Sequence, residues 1–373
     1  MPLWKRVWLG ILRGLLLFFA HLKYYFKLFL NLFGRAPIAV SAYRGYGSRE
    51  HVFLQGRVLK NKVVHTTPED TLWQNLVNNY KRFGSAEIRG AQLEITIGEN
   101  IFEVTTDREG YFHLDEALKI PLPDDEEVWE KVSIRVLRTR KQELNLTASA
   151  EILVPKQAEF GVISDIDDTI LITEVTSLLK LKMIYLTFFK NAAKRQTFHE
   201  VEAFFQGLRR GSSGEGSNPI FYVSKSPWNL YDFLDDFVKI NDLPKGPLLL
   251  RDIGPLPSRF LFEQMEKEYR GHKIASVVRI LRMYPNLPFI LIGDSGQEDA
   301  DIYLTIAKAF PDQIKVIYIH DVKHQRRLRR THQLIQASGI AHIKVVSTYR
   351  EAAQDAANQG LMTMEIFEKF GSK

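Results

Sequence analysis

The sequence predicts a mixed α/β chain in three parts: an amphipathic helix over residues 1–35, a small β-sandwich over 36–156, and an α/β unit on a parallel sheet over 157–373. Three observations predict it. Residues 1–35 keep their cations on one side at helical period, the next stretch is a series of short period-two runs between turns, and from residue 157 continuous β-branched runs alternate with helical stretches. At 373 residues, 45% hydrophobic and 25% charged, the chain is globular in composition and long enough for two domains. It contains no cysteine, which excludes disulfides and thiolate-held metals and fits a reducing compartment.

The basic charge is local. Residues 1–49 hold eight Lys or Arg and no acid, against +6 for the whole chain, so the remainder is slightly acidic. The segment is strongly apolar, but its longest uncharged run, Gly14 to Leu22, is far below the roughly 18–20 residues of a spanning helix. Wound as a helix, it sets Lys5, Arg6, Arg13, Lys23, Lys27 and Arg35 on one arc and Trp4, Trp8, Ile11, Phe18, Phe26 and Phe33 on the other. That pattern fits a helix lying in a lipid interface with its cations among anionic headgroups. A core-packing helix and a secretory signal ending near "PIAVSA" are the alternatives, the latter opposed by Lys23, Lys27 and Arg35.

Between residues 36 and 156, "HVFLQGRVL", "LEITIG", "IFEVTTD", "YFHLDEAL", "KVSIRVL" and "AEILVP" read as strands of a β-sandwich, with a helical insertion at Pro68 to Phe83. No catalytic pattern stands out there. "YRGYG", residues 43–47, is open to two readings, a Gly-rich strand connection or a binding loop.

From residue 157, "FGVIS", "IFYVS", "PLLLR", "FILIG", "IKVIYIH" and "IKVVS" read as strands buried on both faces, hence parallel. Such sheets bind ligands outside the carboxyl ends of their strands, where Asp165, Ser224 and Asp294 fall. "SDIDDTI" crowds Asp165, Asp167, Asp168 and Thr169 at the first strand end. Carboxylates two residues apart on such a loop can act as nucleophile and general acid/base, with a divalent ion offsetting their repulsion. An EF-hand starting at Asp165 would want Gly at 170 and Glu at 176; Ile170 and Thr176 exclude it. In "YVSKSPW", Ser226 and Pro227 read as an N-cap and first helical residue, a phosphate cradle beside Ser224. "IGDSGQEDADIY" offers Asp294 as a metal ligand, with Asp299 and Asp301 either functional or merely favourable at a helix start.

These motifs, in this order, resemble the haloacid dehalogenase superfamily. With "YRGYG", "LQGRVL", "TDREGYFHLD" and "LLLRD" they are more closely similar to phosphatidate phosphatases of the actin-patch-protein type, over roughly residues 40–325. The resemblance implies a haloacid-dehalogenase-like parallel sheet and Mg²⁺-dependent hydrolysis of phosphatidate to diacylglycerol and phosphate. Asp165 would be the nucleophile and Asp167 the acid/base. Asp165, the carbonyl of Asp167 and Asp294 would hold Mg²⁺, Ser224 and a lysine would bind phosphate, and Thr169 and Asp299 would support the site. Lys273, read as opening a helix, is the first choice of lysine and Lys225 its rival.

Two basic stretches remain. Val175 to His199 reads either as a cap dipping into lipid or as a crossover helix with a solvated face, and "KHQRRLRR" at 323–330 as a contact to anionic lipid or solvent. The aromatic interleaving of single-strand nucleic-acid binders is missing there, so no nucleic-acid partner is expected. The expected setting is cytoplasmic and peripherally membrane-associated, with phosphatidate as substrate and an anionic lipid surface as partner. The alternatives are a phosphatase of soluble monoesters and a membrane-binding scaffold with an unused site.

Overall fold

The computed structural model describes residues 37–60, 86–125, 127–166, 192–251, 262–295, 298–322, 324–340 and 342–371. The 1–35 helix, the insertion at Pro68 to Phe83, the basic segment from Val175 as far as residue 191, and Asp167, Asp168 and Thr169 lie outside the described residues. Among the described residues no helix is long and apolar enough to cross a membrane.

Nine strands form the first sheet: β1 (Ile38–Ala42), β2 (Gly45–Gly47), β3 (His51–Lys60), β4 (Ala86–Glu87), β5 (Gln92–Ile97), β6 (Asn100–Thr105), β7 (Tyr111–Ala117), β8 (Trp129–Arg138) and β9 (Glu143–Leu153). They join in the order β1-β3-β2-β9-β8-β5-β6, with β4 and β7 also pairing β3. Pairings are antiparallel apart from β2 with β9. The period-two alternation read from the sequence is visible in β5, where Leu93, Ile95 and Ile97 are buried and the residues between are not. These side chains meet Val52, Leu54, Phe112, Leu114, Ile134 and Ile152 in one core, so strands far apart in the order share an interior.

All six apolar runs after residue 157 are strands of one parallel sheet: β10 (Gly161–Asp165), β11 (Ile220–Pro227), β12 (Leu248–Arg251), β13 (Phe289–Asp294), β14 (Ile314–His320) and β15 (Ile343–Val346). Their order, β12-β11-β10-β13-β14-β15, reverses direction between β10 and β13, the switch point at which doubly wound sheets open a crevice for ligands. Both faces are covered. Val162, Ile290 and Ile292 point into a core with α1 (Ala192–Arg210), α2 (Tyr231–Ile240), α6 (Tyr349–Asn358) and α7 (Met364–Gly371). Ile163 and Leu291 point the other way, into a core with α3 (Phe262–Met283) and α4 (Asp299–Ala309). One further helix, α5 (Gln325–Ser338), joins β14 to β15.

The two sheets meet through "YRGYG". Tyr43 stacks on Trp228 with ring centroids 4.3 Å apart, and the Arg44 amide donates to the Tyr231 hydroxyl at 2.8 Å. The Arg44 guanidinium pairs with Asp235, Lys245 pairs with Glu151 at 2.6 Å, and the Tyr284 hydroxyl donates to the Gly47 carbonyl at 3.1 Å. Tyr46 packs edge-on against Phe221 at 5.6 Å. Tyr43 and Tyr46 are buried and Gly45–Gly47 is strand β2 itself, so the stretch is neither a mere connection nor an exposed loop but part of the joint.

Candidate active site at the carboxyl edge of the parallel sheet

The switch point brings together four of the predicted side chains. Asp165 ends β10 and Asp294 ends the adjacent β13; Asp299 starts α4, and Lys273 reaches in from α3. All four are fully buried. Nζ of Lys273 lies 3.0 Å from Oδ2 of Asp165 and pairs with Oδ1 of Asp299. The other oxygen of Asp299 accepts the Asp294 amide at 3.2 Å. Carboxylate oxygens of Asp165, Asp294 and Asp299 lie within 4.8 Å of one another, an all-oxygen donor group that could hold a divalent metal ion.

Local sequence explains how these groups approach. Gly293 precedes Asp294 because a Cβ there would fall 2.4 Å from Oδ2 of Asp299, so the turn from strand to helix closes only over a residue without a side chain. Ser224 is fully buried and follows Val223, which pairs with Asp165 and accepts the Ile166 amide at 3.2 Å. Ser224 Oγ accepts the Ser226 amide at 2.9 Å, which holds the hydroxyl at this edge.

Burial pushes the Asp299 carboxyl well above the usual carboxylate range; Lys273 pulls it down, and Asp165 and Asp294 push it up again. Three buried carboxylates and one buried lysine thus share this edge of the sheet. Two corrections concern the helices. Lys273 does not open a helix: α3 begins at Phe262, so Lys273 sits in mid-helix and the helix dipole does not explain it. Its burial against Asp165 and Asp299 does. Ser226 is not an N-cap either. β11 stays extended through Pro227 (φ −73°, ψ 154°), re-pairs with Arg251 after a bulge, and passes through a 3-10 turn at Trp228–Leu230 with no side-chain cap. The rival Lys225 lies half-buried on β11.

Three residues were not singled out from the sequence. Tyr303 lies under the Lys273 ammonium, 5.1 Å from ring centroid to Nζ, and its hydroxyl donates to the Ile292 carbonyl at 3.0 Å. It stands four residues after Asp299 on one helix face, a spacing that could have signalled it. His320, whose Cα pairs with that of Asp294, stacks on Tyr349 at 5.0 Å. Burial raises the Tyr349 hydroxyl far above its ordinary pKa, and the charges of Asp294 and Asp165 raise it further. Nothing in the sequence around Tyr349 signals this, since it comes from a helix after the last motif.

Residues 160–321 match the family model described as Phosphatidate phosphatase APP1, catalytic domain. Phosphatidate phosphatase APP1 of Saccharomyces cerevisiae is 33% identical over 159 residues, 43% of this chain and 25% of that protein. An uncharacterized protein of Schizosaccharomyces pombe is 27% identical over 223 residues, 59% of this chain and 34% of that protein. The chain thus spans about a quarter to a third of the length of these curated relatives. Among solved structures, a calcium-binding mutant of Bacteroides uniformis β-glucuronidase 2 aligns over 87% of this chain and 39% of that chain, but a TM-score of 0.27 at 10% identity carries no argument. Asp165, Ser224, Lys273, Asp294, Asp299, Tyr303 and His320 all fall inside the segment that is similar to the APP1 catalytic domain.

Proposed function

We propose that this protein hydrolyses phosphatidate to diacylglycerol and inorganic phosphate by the two-step chemistry of the haloacid dehalogenase superfamily. The observation that carries this is the buried set Asp165, Asp294, Asp299 and Lys273 at the switch point of a parallel sheet, inside a segment that matches a phosphatidate phosphatase catalytic domain. In the first step an Asp165 carboxylate oxygen bonds to phosphorus as the ester P–O bond breaks, and Asp167 gives its proton to the departing glycerol oxygen. In the second, Asp167 takes a proton from water, the water oxygen bonds to phosphorus, and the bond to Asp165 breaks to release phosphate. Lys273 and the Ser224 hydroxyl bind phosphate oxygens; Asp299 holds Lys273 in place, and Thr169 supports the loop.

The donor set fits Mg²⁺, a hard cation that takes oxygen ligands, and an ion would ease the repulsion among the three carboxylates. Asp165, Asp294 and the Asp167 carbonyl would hold it. When bound, it supplies charge neutralisation to the phosphoryl oxygens. The basic 1–35 helix would bring the enzyme to the surface of a cytoplasmic membrane as a peripheral protein.

Phosphate release from phosphatidate in vesicles, compared with soluble monoesters and with an Asp165→Asn control, tests the proposal. Turnover of phosphatidate that drops by roughly three orders of magnitude or more in Asp165→Asn supports it. Preference for a soluble monoester would replace the substrate, and no turnover of any ester would leave a membrane-binding scaffold.

A further inference from the structure

We infer that the basic face of α5 is a docking rim for an anionic lipid bilayer, turning the carboxylate pocket toward the membrane. The inference rests on the phosphatidate proposal, and its test separates the two.

Arg326, Arg327, Arg329 and Arg330 are all exposed in the first two turns of α5, with no acid in the first turn. Cations at the start of a helix oppose its dipole, so local helix stability does not account for them. Their place in the fold is what gives them a role. β14 ends at His320, opposite Asp294, and the Ser295 amide donates to the His320 carbonyl at 2.9 Å. Ser295 Oγ accepts the Val322 amide at 3.1 Å, so the chain leading into α5 is tied to the residue that follows Asp294.

Arg330 fixes the level of the helix. Its guanidinium lies 3.1 Å from a carboxylate oxygen of Asp301, in the first turn of α4 and two residues beyond Asp299. At about 1.5 Å per residue, Arg326 stands only about 6 Å further along the axis, on the side of the loop from β14. The arginines are therefore level with the mouth of the site and not at the opposite edge of the sheet. Val322, an exposed apolar side chain at 37%, sits on the same loop. A row of cations beside an exposed valine, at the entrance to a site for an anionic lipid, complements a bilayer carrying negative headgroups. Nucleic acid fits less well, because no Phe, Tyr or Trp lies among residues 324–335 to stack on bases.

The test uses the full chain. Arg326→Gln/Arg329→Gln leaves the Arg330–Asp301 pair intact, and Lys308→Gln/Lys315→Gln removes the same charge from exposed positions at the amino edge of the sheet. Sedimentation with phosphatidylcholine vesicles doped with phosphatidylserine, at low salt, should show the rim variant bound about 30-fold more weakly and the edge variant close to wild type. Phosphate release from phosphatidate in such vesicles should fall with binding in the rim variant, while release from a short-chain, water-soluble phosphatidate is kept. Equal vesicle binding by the rim variant and wild type, or an equal loss in both variants, overturns the inference. So does loss of RNA retention without loss of vesicle binding. A wild-type chain that hydrolyses neither form of phosphatidate defeats the proposed function, whereas the sedimentation comparison still decides the rim.

Discussion

Nζ of Lys273 lies 3.0 Å from Oδ2 of Asp165, with both side chains fully buried. A buried charge is tolerable only when paired, and this lysine serves Asp299 as well. Removing it leaves like charges facing one another among buried side chains. Lys273→Met should therefore destabilise the protein by about 3–5 kcal/mol and abolish phosphate release. Adding Asp299→Asn should recover part of the stability and none of the activity. Urea unfolding followed by intrinsic fluorescence would check this, and an unshifted midpoint in Lys273→Met would contradict the pairing.

The excess of carboxylates predicts a metal-dependent stability. Mg²⁺ binding to the folded chain should raise its melting temperature, and excess chelator should reverse the shift and stop turnover. Asp294→Asn removes one charge from the set and should lose most of the thermal shift. A shift of wild-type size in that variant would place the ion elsewhere.

The joint between the sheets should matter to both stability and catalysis. Tyr43 stacks on Trp228, four residues after Ser224. Tyr43→Ala leaves a cavity there and should cost about 3–5 kcal/mol, while Tyr43→Phe keeps the stack and should cost much less. Since Trp228 follows the strand end that carries Ser224, turnover by the folded Ala variant should fall too. Thermal denaturation of the two variants side by side measures the first effect, and initial rates well below the melting point measure the second.

His272, next to Lys273, should make stability fall as pH falls. Burial lowers its pKa from 6.5 to about 4, the cations Arg251 and Arg279 lower it further, and a backbone hydrogen bond with Leu249 opposes them. The folded state thus resists a proton that the unfolded chain accepts. The contribution is fully present above pH 6.5 and is lost as pH falls toward about 4. His272→Gln should flatten the stability curve in that window. Equal slopes for variant and wild type, from urea melts at several pH values, would show that His272 does not titrate this way.

Much of the site was legible in the linear sequence for a simple reason. A strand buried on both faces is a continuous apolar run, and the first polar residue after it marks the carboxyl edge where a parallel sheet binds ligands. Asp165, Ser224 and Asp294 were found in this way. Lys273 was reached by a wrong step: the polar stretch before it hid the true start of α3, and what sets it apart is its burial between Asp165 and Asp299. Ser226 misled for a related reason. Ser-Pro is a good helix start locally, but pairing of Pro227 with Arg251 keeps the chain extended there.

What the sequence by itself determined is the run of strands after residue 157, most strands before it and the strand ends that bear charge, because burial and backbone pairing impose characteristic periods on apolar side chains. Partners across the fold were left to the tertiary structure. Tyr349 stacks on His320, the register partner of Asp294, although it comes 55 residues after that aspartate, Tyr43 locks onto Trp228 across 185 residues, and Arg330 is paired with Asp301 at the start of α4. Such pairings depend on the order in which strands lie in the sheet. That order is set by how helices pack on its two faces, and no local pattern of residues encodes it.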